Sequence, residues 1–96
     1  MERLTIDVGA IVQHYKRNAW LESASDEYKK EEPRMFLYRI EGVAYNTLTG
    51  KVDVVYRALY GTNTLYTRGL EDFLYKMDES EHGQGFRFVK YESDLI

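Results

Sequence analysis

The sequence predicts a mainly β protein, a small antiparallel barrel or rolled sheet of about five strands with one or two short helices. Three observations predict it: short runs rich in branched and aromatic side chains, glycine and asparagine turn signatures between those runs, and one stretch with apolar residues at helical spacing. Ninety-six residues supply one core, so the expectation is a single domain over residues 1–96. With 44% hydrophobic and 30% charged residues and one proline, the composition is that of an ordinary folded protein and excludes disordered and collagen-like classes.

Residues 8–16, Val-Gly-Ala-Ile-Val-Gln-His-Tyr-Lys, read as a first strand entered from a glycine turn. A polar insertion over 21–34 follows, a short helix or a loop, where Ser23 or Ser25 with Asp26 and Glu27 suits a helix N-terminus and Pro33 ends it. Residues 35–46 form a long strand, with Gly42 placed for a bulge or bend. Asn46-Thr-Leu-Thr-Gly50 is a hairpin turn into Val52–Tyr60, a strand apolar on both alternating faces and hence central. After the turn at Gly61 and Asn63, Leu65–Arg68 pairs back against it. Leu70, Phe73, Leu74 and Met77 fall at helical spacing, so one or two turns of helix within residues 69–77 are expected to plug one end of the sheet, with Phe73 and Leu59 buried. Residues 78–84 read as a polar loop and 86–91 as the last strand. Such a rolled arrangement removes the exposed edges that an open sheet leaves.

The formal charge of -3 argues against a general nucleic-acid binder. Its distribution is uneven. Arg3, Lys16 and Arg17 outnumber Asp7 near the N-terminus, and Arg39, Lys51, Arg57 and Arg68 outnumber Glu41 and Asp53 over residues 36–70, while acid dominates 18–35 and 71–96. The acidic stretches read either as solvated surface or as the counterpart of a basic face for an anionic ligand. No cysteine is present, so disulfides and thiol chemistry are excluded, and two histidines, His14 and His82, do not make a zinc site of the Cys/His kind. A carboxylate-bound Mg²⁺ or Ca²⁺ stays open. No apolar run is long enough to span a bilayer, and Met1–Asp7 lacks the order of a signal peptide, so a cytoplasmic protein without membrane contact is expected.

His14-Tyr-Lys-Arg17, Leu37-Tyr-Arg-Ile-Glu-Gly-Val-Ala44, Val54-Val-Tyr-Arg-Ala-Leu-Tyr-Gly61, Tyr66-Thr-Arg68, Leu70-Glu-Asp-Phe73 and Arg87-Phe88 together resemble a family of short bacterial and phage domains of unknown function. The resemblance covers nearly the whole chain. It implies an SH3-like β-barrel and no settled biochemical activity. In two places the chain departs from the pattern: Gly69 stands where the family usually has proline before Leu-Glu-x-Phe, and Asn46 where a histidine often precedes the turn.

For function, catalysis has the thinnest support. His14 and His82 are the side chains that titrate near neutral pH, and no nucleophile elbow, paired-histidine metal motif or phosphate loop is present. His14 in a strand reads as structural, bonded to backbone, and His82 among Glu79, Ser80 and Glu81 as solvated. The best candidate set is Lys16, Arg17, Arg57 and Arg68 with Tyr56, Tyr60 and Tyr66. Arginine presents a planar fork of donors to phosphate or carboxylate, and tyrosine a ring for stacking, so the set suits a nucleotide or short single-stranded nucleic acid. The plainer alternative is that the tyrosines pack the core and that Arg57 and Arg68 neutralise acids such as Glu71 or Asp72. Nine tyrosines, whose hydroxyls are not all easily buried, favour a recognition surface. The expectation is therefore a non-catalytic module for an anionic ligand, with no cofactor. Two other readings stand beside it: a protein-interaction adaptor or homodimer working through an edge strand or groove, and a phage-type protein that sequesters a signalling nucleotide.

Overall fold

In the computed structural model, which describes residues 4–92, five antiparallel strands form one sheet in the order β4-β3-β2-β1-β5. Arg3 and Asp94, counted in the basic and acidic segments above, lie outside the described residues. β1 (Ile11–His14) buries alternate residues, Val12 and His14, as a strand with one face on a core must. It is shorter than the expected 8–16. The Lys16 N–H donates to His14 Nδ1 at 3.1 Å, a local side-chain bond that turns the backbone out of the strand.

From there Lys16–Ser23 form α1 and Asp26–Glu31 form α2, so the polar segment starts well before residue 21 and consists of two helices. Lysine, arginine, alanine, leucine and glutamate, all good helix formers, outweigh the asparagine, tryptophan and serine in α1. Ser25 is the N-cap of α2: its Oγ accepts from the Tyr28 N–H, with Asp26 and Glu27 in the first turn and Lys29 and Lys30 in the last. The helix stops short of Pro33.

β2 (Leu37–Asn46) and β3 (Lys51–Ala58) form the hairpin read from the sequence, joined by a turn with Gly50 at φ 71°. Asn46 builds that turn, its Oδ1 accepting from the N–H groups of Leu48 and Thr49 at 3.0 and 3.2 Å. The register shifts between Ile40 and Gly42, leaving Glu41 unpaired as the bulged residue beside the glycine. β4 (Leu65–Gly69) pairs with β3, and α3 (Leu70–Phe73) follows at once. Gly69 has φ -54° and ψ 142°, close to what a proline at that position imposes.

The plug helix is one turn, the shorter of the one or two expected, and it ends at Phe73 without reaching Met77. The Arg87 N–H donates to Tyr75 O at 2.8 Å and the Met77 N–H to Gly85 O at 2.9 Å, and these bonds draw 75–77 into extended pairing. The polar stretch beyond contains a further turn of helix, α4 (Glu79–His82), capped by Asp78 and ended by Gly83 at φ 76°. β5 (Phe88–Lys90) returns along β1.

Among the described residues no ladder joins the two edges, β4 and β5, so the sheet is open by backbone pairing. Side chains connect its ends instead. Phe73, just past β4, lies flat on Phe88 of β5 with centroids 4.1 Å apart and planes 7° from parallel. Val12, Tyr38, Ile40, Val54, Tyr56, Ala58, Phe73 and Phe88 make the core. Leu59 is a correction: β3 has already ended at Ala58, and Leu59 sits half-buried on the side of the alternation opposite Val54, Tyr56 and Ala58. No helix among the described residues is long and apolar enough to cross a membrane.

Phe73 is 0% exposed and touches both Tyr56 and Phe88. Phe73→Ala is therefore expected to cost about 3–5 kcal/mol, a large share of the roughly 5–15 kcal/mol that folded domains have, read as a lower urea midpoint. An unchanged midpoint contradicts its role at the junction of the sheet's ends.

Candidate functional site

The β3–β4 register decides which predicted residues meet. Tyr56 lies opposite Tyr66 and Val54 opposite Arg68, and directly opposed residues point to the same face. Tyr56 and Tyr66 stack with centroids 5.7 Å apart. Tyr38 of β2 meets Tyr56 edge-on at 5.4 Å, and its hydroxyl is 2.6 Å from that of Tyr60. Phe36, held at φ 64° before β2, packs against Tyr60 at 5.7 Å. With His14 and Phe88 these rings line a cleft of about 230 Å³, completed by Lys16 and Arg68.

Among the described residues two cations therefore serve the cleft, and no aspartate or glutamate lines it. Arg68 is oriented by its neighbours: Nε donates to Tyr56 Oη at 3.3 Å and Nη1 to Asp72 Oδ2 at 2.9 Å, while Nη2 has no partner among the described residues. Asp72 is also held by Arg87, and these two arginines keep its carboxyl below the usual range. Lys16 is exposed and has no carboxylate partner among the described residues. Burial pushes the Tyr38 hydroxyl up, with the bond to Tyr60 adding to it, and burial raises Tyr60 as well, so both hydroxyls stay neutral and the cleft keeps its positive sign.

Lys16, Tyr56, Tyr60, Tyr66 and Arg68 of the candidate set thus surround one space, and Arg17 and Arg57 do not. Arg57 neighbours Tyr56 in β3, so it points to the opposite face. There its Nε donates to Glu41 Oε1 at 3.2 Å and its Nη1 to Asn63 O at 3.0 Å. Arg39 lies directly across from Arg57 and donates to the same Glu41 oxygen, so the bulge residue lies between two like charges and its carboxyl is held low. The acid that neutralises Arg57 is therefore Glu41, whereas Arg68 has the expected Asp72.

Arg17 is 6% exposed. Its Nη1 and Nη2 donate to the carbonyls of Met35 and Pro33 at 2.7 and 3.1 Å, and its guanidinium lies over the rings of Trp20 and Tyr91. It clamps α1 to the segment entering β2 and is closed to a ligand. His82 is not simply solvated: its ring meets that of Tyr15 edge-on at 4.7 Å.

The cleft residues outside the candidate set are His14, Phe36, Tyr38 and Phe88. Tyr38 shares the alternation of Ile40 and was within reach of period-two reading; the left-handed backbone of Phe36 has no sequence signal. A larger cleft, about 680 Å³, lies between the hairpin end and α3, but Asp53, Glu71 and Asp72 line it, which disfavours an anion there. Among the described residues no three His, Asp or Glu side chains are grouped to hold a metal ion.

Sheet, bridge and cleft define a small five-stranded antiparallel β protein with an aromatic cleft and a cationic rim. The chain belongs to the family described as protein of unknown function (DUF1653), whose model matches residues 10–90, a span that includes all five strands and every residue lining the cleft. No curated protein and no solved structure matches it.

His14 supplies a pH test of this geometry. Burial first, then the charges of Lys16, Arg68 and Arg87, lowers its pKa from 6.5 to about 4. The folded state disfavours the proton, so the stability from neutral His14 is whole above about pH 6.5 and is lost as pH falls towards 4. A loss of roughly 2 kcal/mol between pH 7 and pH 5 is expected in urea denaturation, and His14→Phe should remove most of that slope. A wild-type slope unaffected by His14→Phe contradicts the buried neutral histidine.

Proposed function

We propose that this protein is a non-catalytic binding module that takes an anionic ligand bearing an aromatic ring, a nucleotide or the end of a short single strand, in the Tyr38–Tyr56–Tyr66 cleft. The observation that carries the reading is the pairing of Lys16 and Arg68 with ring surface in a space that no carboxylate lines. Arg68, already oriented by Tyr56 and Asp72, offers Nη2 to a phosphate or carboxylate oxygen, and Lys16 adds a mobile second charge. Tyr66, 41% exposed, offers its ring for stacking.

Size narrows the reading. About 230 Å³ is less than the roughly 300 Å³ at which drug-sized pockets begin, so the cleft takes one ring or one charged group and leaves the rest of the ligand outside. A binding role fits better than a catalytic one, because Nδ1 of the cleft's histidine already accepts the Lys16 N–H and no carboxylate stands by as a base. The finer fold assignment, an SH3-like barrel, belongs to the same proposal. It is supported by the meander β1 to β4, the return of β5 beside β1, and the Phe73–Phe88 bridge between the edges.

Calorimetric titration with nucleoside monophosphates and short oligonucleotides tests it. Arg68→Ala is expected to weaken binding about 10- to 100-fold, the worth of a hydrogen bond to a charged group, and Tyr66→Ala by a similar factor through lost stacking. Arg57→Ala, on the opposite face, should leave affinity within about 2-fold. Equal losses from Arg57→Ala and Arg68→Ala, or no binding across the panel, would overturn the assignment.

A further inference from the structure

The two edges of the sheet are treated differently. β5 is three residues long, ends in Lys90, and the chain leading into it is covered by Tyr75–Met77. Short length, a lysine and a covering segment are the usual protections of a sheet edge. β4 has none of them: it is Leu-Tyr-Thr-Arg-Gly, without proline or bulge.

Which groups β4 presents follows from the ladder. The Ala58 N–H donates to Thr64 O at 2.9 Å, so Ala58 and Thr64 are a hydrogen-bonded pair. Bonded pairs alternate in an antiparallel ladder, so Tyr66 and Arg68 spend their backbone groups on β3, while Leu65 and Thr67 turn theirs outward, as Gly69, the N-cap of α3, turns its N–H. Leu65 is 47% exposed and Thr67 is exposed.

We propose that a second copy of this chain pairs with this edge, β4 against β4, antiparallel and centred on Thr67. The strand is complementary to itself in that register. Thr67 exchanges both backbone bonds with Thr67 of the second copy, and the Leu65 carbonyl accepts from its Gly69 N–H, the Gly69 carbonyl being the one on which α3 starts. The exposed Leu65 side chain then lies across from a residue without one. Tyr66 lies opposite Arg68 of the second copy as a non-bonded pair, the closer kind, which sets a guanidinium beside an aromatic ring. The sheet becomes continuous, and the two aromatic clefts, each of which already includes Tyr66 and Arg68, adjoin across the dyad. A five-residue strand contributes little area, so the dimer is a concentration-dependent one.

The pairing stands on β4 alone and not on what the cleft binds. Sedimentation equilibrium of the full chain without ligand, from micromolar concentration up to about 1 mM, should show a shift from the 11.3 kDa chain to twice that mass. Over the same range the Leu65 and Thr67 amides should gain protection from hydrogen exchange. Thr67→Pro removes an outward N–H and leaves the β3 ladder its bonds, so it should weaken the dimer on the order of 30-fold while melting as a folded monomer. A chain that stays monomeric throughout, a dimer in which those two amides exchange freely, or a folded Thr67→Pro that dimerises like wild type overturns the proposal. Should Thr67→Pro fail to fold, the exchange of the wild-type amides decides.

Discussion

Phe73 follows the strand at one edge of the open sheet and Phe88 lies in the strand at the other, and their stacked contact joins the two ends over one core. In sheet order β1 and β2 separate β5 from β3, yet Phe88 stands 5.4 Å from Tyr56 and 5.7 Å from Tyr38. That proximity exists because the ends have been drawn together. Arg87 supports the same junction from outside, donating to the Asp72 carbonyl at 3.0 Å and to its carboxylate. Local backbone geometry serves it too: Gly69 sets the direction in which α3 leaves β4, so that Phe73 faces inward three residues after the α3 start.

The cleft is a by-product of that junction. The contact between the ends of the sheet gathers rings from β1, β2, β3, β4 and β5 on one side, and where the core layer ends the rings stand partly open. Tyrosine suits the boundary because its ring packs inward while its hydroxyl finds a partner, as Tyr38 and Tyr60 do with each other. The outer face follows a different logic. There the bulge at Glu41 sets a carboxylate between Arg39 and Arg57, cancelling a like-charge pair that the register would otherwise leave opposed. Charge is thus satisfied on the outer face and held partly in reserve at the cleft.

The helical arm is secured by polar groups and not by an apolar stripe. Arg17 is the buried residue of α1, and its Nη1 and Nη2 donate to carbonyls that no ladder uses, while its buried Nε has no hydrogen-bond partner among the described residues. Beneath it, Gln84 at 1% exposure accepts from Gln13 and Asn18 and donates to the carbonyls of Gln13, Phe86 and Arg87. This amide cluster ties α1, β1 and the approach to β5 into one unit. A buried amide bonded as fully as Gln84 resists substitution, because removing it strands its partners.

The strand count, the β2–β3 hairpin, a bulge or bend at Gly42, a serine cap at Ser23 or Ser25 and the burial of Phe73 were legible in the sequence, because each rests on a period of two or on chemistry within a few residues. So was the tyrosine and arginine composition of the cleft. The partition of that set was not. A one-residue offset along β3 sends Arg57 and Tyr56 to opposite faces, and the pairing of Val54 with Arg68 decides which of them Arg68 joins. Arg17 and Lys16 are likewise adjacent in sequence, one closed over by Trp20 and Tyr91 and the other exposed beside the rings, because where α1 begins is set by a bond to His14 and by distant carbonyls. The amino-acid sequence determined which side chains were available and how each strand alternates; the tertiary structure decided which faces were brought together, because register and closure depend on contacts between residues far apart along the chain.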